Sequence, residues 1–501
     1  MGIKGEFPMN RILLAGAALS ACVVAAPAQA QRTPSVQIRC DGLPDNVTAG
    51  ETAARLLGAI TLLGVFAPAH ETPDQTLRLN GAEGVAICAE ALQRESNEIR
   101  RAQLILGSAL HQIEAGQFDA AIADARRAGA DRPALSATPA YRLSLGLGAL
   151  EIEALALLGA GRLEDARAKA FEMAAAAPYD TVIQARAWRY IRLSSAYGAP
   201  EQAYYDNLVR LFPAGMYERA AARQMAGDFR AAAADYDSWL DLQRTVTMRQ
   251  PDMQTPAMGA LAHALAGNVA RAEELARIAR EALQANPTLA AAAGTTELLD
   301  LYNIWKVAHD GRAADARLLF ASRTTWLRPA AGAVAEVARL LQQGVPASSL
   351  IGTLAGDPNR FRTELIERRR RELLDEKNKF AAIPAFRDQA SYDRFAANVW
   401  RTERSRYLGR EENDDVHARV INATRDGFGT PAGYAALLHA ALITQAEGKS
   451  SFMLMPSRTN VAILWMRVGN AGDANLIAPL TYDAAQVIAD LGPMIPRPAR
   501  R

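Results

Sequence analysis

The residues in this chain most able to do chemistry are its six histidines, His70, His111, His263, His309, His417 and His439. None pairs as HExxH or HxxxH, the spacings that put two imidazoles on one helix face toward a metal. The run Glu411-Glu412-Asn413-Asp414-Asp415-Val416-His417 offers hard oxygens for a divalent cation. It lacks the alternation and the glycine of a calcium loop, and reads as a solvated acidic turn. Gly448-Lys449-Ser450 echoes a phosphate loop, but Ile443 stands where glycine is needed. The triplet also follows a helix and precedes a strand, the reverse of a phosphate cradle. There is no GxSxG elbow. These observations assign no catalytic residue, no metal site and no cofactor.

The three cysteines carry a different message. Cys22 lies in an apolar leader: after Met9, Asn10 and Arg11 form a short basic region, Ile12 to Ala26 an apolar core, and Ala28-Gln29-Ala30 a small-x-small cleavage site. Residues 1–30 read as a signal peptide, too short to span a bilayer comfortably, which directs a mature chain without a membrane span to a secreted or periplasmic location. Leu19-Ser20-Ala21-Cys22 is similar to a lipobox, and in that alternative Cys22 is the lipid anchor of a membrane lipoprotein. Val23 and Val24, where such chains turn polar, argue against it. With Cys22 removed, Cys40 and Cys88 remain, without CxxC spacing, and read as a structural disulfide in an oxidising compartment. Closing a loop of about 50 residues stabilises by roughly 4 kcal/mol in the chain-entropy model.

These groups must be positioned by a helical chain. Residues 31–97 read as an N-terminal cap. In it, Thr48 to Glu51 form a capping box for a helix bearing Leu56, Leu57, Ile60, Leu63 and Phe66, and a second helix runs from about Ala82 to Ile99. From 98 to 343 one pattern recurs: glycine, a spacer, a large apolar residue, two further residues and alanine. It is Gly116-x-Phe118-x-x-Ala121, Gly161-x-Leu163-x-x-Ala166, Gly227-x-Phe229-x-x-Ala232 and Gly267-x-Val269-x-x-Ala272. Gly311-x-Ala313-x-x-Ala316 keeps the turn with a small plug, and Gly198 to Ala203 is a degenerate copy. The glycine ends one helix in a conformation a side chain resists. The alanine marks a close helix crossing, matched seven residues before the glycine by Ala109, Ala154, Ala220 and Ala260.

This pattern resembles the tetratricopeptide repeat family over roughly residues 98–330, although the glycines are 45, 37, 29, 40 and 44 residues apart rather than at the family's period of about 34. The resemblance implies a mainly α fold, a helical-hairpin solenoid whose concave surface binds another protein or peptide. The paired Lys and Asn of the family's carboxylate clamp are absent, so that binding mode is not carried over. Tyr204, Tyr205, Trp188 and Trp239 read as core rather than groove.

Residues 344–412 read as a linker followed by charged helices. Arg368 to Arg371 suggest a nucleic-acid or headgroup patch, but Glu364, Glu367 and Asp375 lie four residues from arginines and predict a salt-laced, solvated helix. Residues 413–501 read as a small α+β module: a helix from Thr430, strands at Ser451–Met455 and Val461–Val468, and a last helix from Thr481. The 56 basic and 54 acidic residues nearly balance, which excludes the electrostatic footprint of a nucleic-acid binder. The whole predicts a non-enzymatic scaffold. The alternative is an envelope enzyme or small-ligand binder with Asp414, Asp415, His417 and Asp426 between array and module.

Overall fold

Helices that end at a glycine can reverse in two residues, and that turn sets the architecture. The computed structural model describes residues 34–44, 74–245, 254–285, 294–323, 325–326, 330–383, 389–401, 408–409, 419–422, 430–456 and 463–497. It is mainly α-helical with a small C-terminal sheet. The leader with Cys22 and the expected helix from Thr48 to Phe66 lie outside the described residues, as do Asp414, Asp415, His417 and Asp426.

The N-terminal part comprises α1 (Val36–Asp41), α2 (Gly81–Arg94), α3 (Glu98–Glu114) and α4 (Phe118–Ala130). The single helix expected from 82 to 99 is two. The side chain of Asn97 accepts from the backbone N–H groups of Ile99 and Arg100 and so starts α3 afresh. Cys40 and Cys88 form the disulfide, joining α1 to α2 with their Cα atoms 4.8 Å apart. Both are fully buried against Ile87, Ala91 and Leu104.

After two short helices, α5 (Pro133–Ser136) and α6 (Pro139–Arg142), the chain continues as α7 (Leu145–Gly159), α8 (Leu163–Ala176), α9 (Thr181–Ile191) and α10 (Ala199–Leu211). Next come α11 (Gly215–Ala226), α12 (Phe229–Thr245), α13 (Gln254–Leu265), α14 (Val269–Ala285), α15 (Thr295–His309) and α16 (Ala313–Ala321). Five junctions share one geometry. Gly116, Gly161, Gly227, Gly267 and Gly311 all have φ between 74° and 92°. Each glycine N–H bonds three residues back, and the next N–H bonds five back, as Gly116 to Ile113 and Gln117 to Gln112. That is the Schellman motif, which satisfies the last carbonyls of the first helix. The alanines follow suit: Ala121, Ala166, Ala232, Ala272 and Ala316, with Ala109, Ala154, Ala220 and Ala260 on the preceding helices, are all fully buried.

Gly198 departs from this set. Its φ is −119°, and it starts α10, with the Glu201 carboxylate accepting from its N–H at 2.9 Å. The proline that follows is at home in a helix's first turn, so GAPEQA here is a helix start, not a helix stop.

The C-terminal part adds α17 (Ala331–Gln342), α18 (Arg360–Leu374), α19 (Gln389–Arg401), α20 (Thr430–Ala446) and α21 (Ala484–Leu491). Strands β1 (Leu408–Gly409), β2 (Arg419–Asn422), β3 (Ser451–Pro456), β4 (Ile463–Gly469) and β5 (Thr481–Asp483) form an antiparallel sheet in the order β1-β2-β4-β3-β5. The last helix begins three residues later than expected. Thr481 to Asp483 pair with β3, Tyr482 stacks on Phe452 with ring centroids 5.2 Å apart, and Asp483 accepts from Gln486 N–H as the cap.

Helix α17 packs on α11, α13 and α15, the first members of three hairpins. Its N-terminus approaches so closely that a Cβ on Gly332 would lie 2.1 Å from the Gln224 carbonyl oxygen and 2.7 Å from Met225 Cα. Backbone atoms cannot swing aside. Gly332→Ala is therefore expected to lower stability by about 1–3 kcal/mol, the range for overpacking, seen as an earlier urea midpoint. An unchanged midpoint would show that α17 is not held against α11.

Candidate functional site

A protein-binding reading needs an open face on the hairpins, so the occupancy of that face decides where a site can be. Much of it is taken by the chain itself. Besides α17, the arginine-rich α18 lies across the ends of three earlier helices. Arg362 Nε donates to the Met225 carbonyl at 2.8 Å, Arg369 Nη1 to the Arg192 carbonyl at 3.0 Å, and Arg370 Nη1 to the Leu158 carbonyl at 3.4 Å. These oxygens stand at the ends of α11, α9 and α7, where the helix dipole is negative, and that of Leu158 also accepts from Gly161 N–H. Leu365 and Leu373 supply the buried apolar contacts of α18.

The solvated, self-neutralised helix expected from the sequence is thus only half right. Glu367 pairs with Arg370 and Arg371, but Arg369 is turned into the protein. Burial, and then the nearby Arg192, lower the Arg369 guanidinium to about 10, still charged at neutral pH. Glu218, beside both arginines, is pushed up by burial to about 7.

The C-terminal module covers another stretch. Tyr482 donates to the Arg210 carbonyl at 3.1 Å and the Tyr179 hydroxyl bonds Asp490, while Trp400 Nε1, donating to the Ile495 carbonyl at 2.7 Å, ties α19 to the module. Tyr204 and Tyr205 are buried, with the Tyr204 hydroxyl on the Gln184 carbonyl at 2.6 Å. Trp239 packs with Val209, Met216 and Met453. These aromatics are core.

Beneath the disulfide lies a dense polar cluster. Arg100 grips Asp41 through two bonds of 2.5 and 2.8 Å, and its Nη2 also donates to the Leu43 carbonyl at 2.9 Å. Both side chains are fully buried. Next to them His111 lies between two acceptors, the Cys40 carbonyl at 2.6 Å from Nε2 and Glu114 Oε2 at 3.0 Å from Nδ1. Glu114 also takes the Gly81 N–H at 3.0 Å and Arg78 at 3.2 Å. Burial alone would raise the Glu114 carboxyl. The hydrogen bond to His111, then that from Gly81 and the Arg78 charge, outweigh it and hold it at about 2. Arg78 in turn sits 3.7 Å over the Phe380 ring. The paired groups here fasten the N-terminal cap to α3 and to the segment after α18.

One cleft differs in having charge to spare. About 390 Å³ in volume, it is lined by Leu92, Gln93, Arg101, Ile105, Arg127, Asp131 and Arg132, from α2, α3 and the end of α4. Three arginines face one carboxylate. They stand in separate segments, and no local motif joins them in the sequence.

Among the described residues no group of three His, Cys, Asp or Glu side chains is arranged to hold a metal. No family model matches the chain, and neither a curated protein nor a solved structure matches it.

Two outcomes follow for the polar cluster. Asp41→Asn leaves Arg100 buried without its counter-charge and is expected to cost about 3–5 kcal/mol, read by urea unfolding at neutral pH. For Glu114, the depressed carboxyl stabilises the fold above its ordinary value of 4.5, and that contribution disappears as pH falls toward about 2. Glu114→Gln should therefore be less stable at neutral pH and lose less between pH 4.5 and 2. Parallel acid limbs for the two proteins would refute the linkage.

Proposed function

We propose that this chain is an exported, non-enzymatic scaffold of a bacterial-type cell envelope that binds another protein or peptide on an irregular, tetratricopeptide-like helical array. The observation that carries the reading is the fivefold recurrence of one hairpin junction: a left-handed glycine, the same pair of reversed hydrogen bonds, and a fully buried alanine after the turn, matched at four of the five by another before it. Stacked hairpins of this kind form extended surfaces suited to protein partners. The buried Cys40–Cys88 bridge fits an oxidising compartment. Among the described residues no helix is long and apolar enough to cross a membrane. The self-covered stretch from α7 to α15 narrows the surface left for a partner and favours the N-terminal hairpin.

The test is chemical crosslinking of the tagged full chain in its native envelope, with crosslinks mapped by mass spectrometry. A stoichiometric partner whose crosslinks fall within residues 98–343 is expected. Recovery of the chain alone, or crosslinks confined to the C-terminal module, would overturn the reading.

A further inference from the structure

We propose that the arginine-lined cleft between α2, α3 and α4 is the seat for an acidic segment of the protein partner, holding side-chain carboxylates on Arg101, Arg127 and Arg132. This rests on the scaffold reading and gives its partner a chemistry.

Charge is the first argument. Arg127 has Asp124 at 3.0 Å, but Asp131, the one carboxylate in the cleft lining, is 4.0 Å from its Nε. Arg101 and Arg132 form no ion pair with it. The second argument is an unmet donor. Nη1 of Arg132 is buried and finds no acceptor among the described residues, and the same holds for the buried hydroxyl of Tyr141, which lies in the field of that guanidinium. A buried N–H without a partner is costly, and turning the Arg132 guanidinium outward onto an oxygen acceptor in the cleft removes that cost.

Preorganisation is the third. Arg101 Nη1 is tied to the Leu92 and Glu95 carbonyls at 2.6 and 2.8 Å, so its planar fork is already held before a ligand arrives. Guanidinium forks match carboxylates in two-point contacts. Leu92 and Ile105 add an apolar lining for the methylenes of a glutamate side chain. The volume falls in the range of about 300–1,000 Å³ typical of ligand sites. Three cations within one cleft do not make the long basic stripe a nucleic acid requires.

The experiment uses the full mature chain and a fluorescein-labelled hexaglutamate peptide, followed by anisotropy at low salt, with hexaglutamine and inorganic phosphate as unlabelled competitors. Hexaglutamate is expected to bind and hexaglutamine not to compete. Arg132→Gln and Arg127→Gln should each weaken binding by about tenfold, since each removes a charge-assisted contact. Arg277→Gln, which removes an equal charge from the exposed pair with Glu281 on α14, should leave binding unchanged. Far-ultraviolet circular dichroism and thermal melts show whether each variant is folded. Absence of hexaglutamate binding, equal weakening by Arg277→Gln, or displacement by phosphate at concentrations equal to the peptide would overturn the proposal. Crosslinking separates the two readings. A partner retained on the array by Arg132→Gln overturns the cleft alone, whereas hexaglutamate binding with no crosslinked partner supports the cleft and overturns the scaffold.

Discussion

The constraint on which the rest of the molecule depends is the left-handed glycine at the end of a helix. At φ near +80° a side chain would strain the backbone, and glycine adopts it freely. Gly116, Gly161, Gly227, Gly267 and Gly311 take that conformation, the last carbonyls of each helix are bonded internally, and the following helix starts two residues later. Direction and separation of the pair are then fixed, and the residue at the crossing must be small. Fully buried Ala109 and Ala121, Ala154 and Ala166, Ala220 and Ala232, or Ala260 and Ala272 are the consequence of that geometry.

Some helix-end carbonyls, at two of these glycine turns and at the end of α9, which has none, are also served from a distance. The Arg192 and Met225 carbonyls at the ends of α9 and α11, and the Leu158 carbonyl of α7 that already takes the Gly161 N–H, are met by guanidinium groups of α18, which fit both the acceptor geometry and the negative dipole end. Arginine suits this better than lysine because its several donors can serve a carbonyl and a carboxylate together, as Arg370 does with Leu158 and Glu367. The near absence of lysine, six against fifty arginines, is compatible with this use without being explained by it.

How much was legible in the sequence follows from the range of each interaction. The glycine turns, their alanines and the Cys40–Cys88 bridge could be read because local backbone chemistry or simple elimination carried them. The covering of the hairpins by α17 and α18 could not. In α18 only Leu365 and Leu373 are buried apolar residues, with Phe361, Ile366 and Leu374 partly covered, and its arginines reach backbone carbonyls, which leave no trace in residue types. The Asp41–Arg100 pair spans 59 positions, and the three cleft arginines come from two helices and the start of a third. Gly198 shows the opposite error: a local pattern matched in letters, while the proline behind it marks a helix start. The acidic turn at 411–417 and the leader with Cys22 lie outside the described residues.

A chain with two charges of net excess can still present a selective anion site if its other arginines are engaged. Arg100, Arg167, Arg219 and Arg223 are each closed on carboxylates, and Arg362, Arg369 and Arg370 on helix ends. Among the described residues the buried guanidinium atoms without an acceptor are Nε of Arg78, Arg100, Arg192 and Arg467 and, alone among terminal nitrogens, Nη1 of Arg132, a departure from the rule that buried polar groups are paired. Selectivity then comes from the local imbalance of one cleft rather than from the field of the whole molecule. A near-neutral protein with such a cleft would discriminate carboxylate-bearing segments at short range without attracting polyanions at long range, since exposed charges beyond about 8 Å are screened at physiological salt.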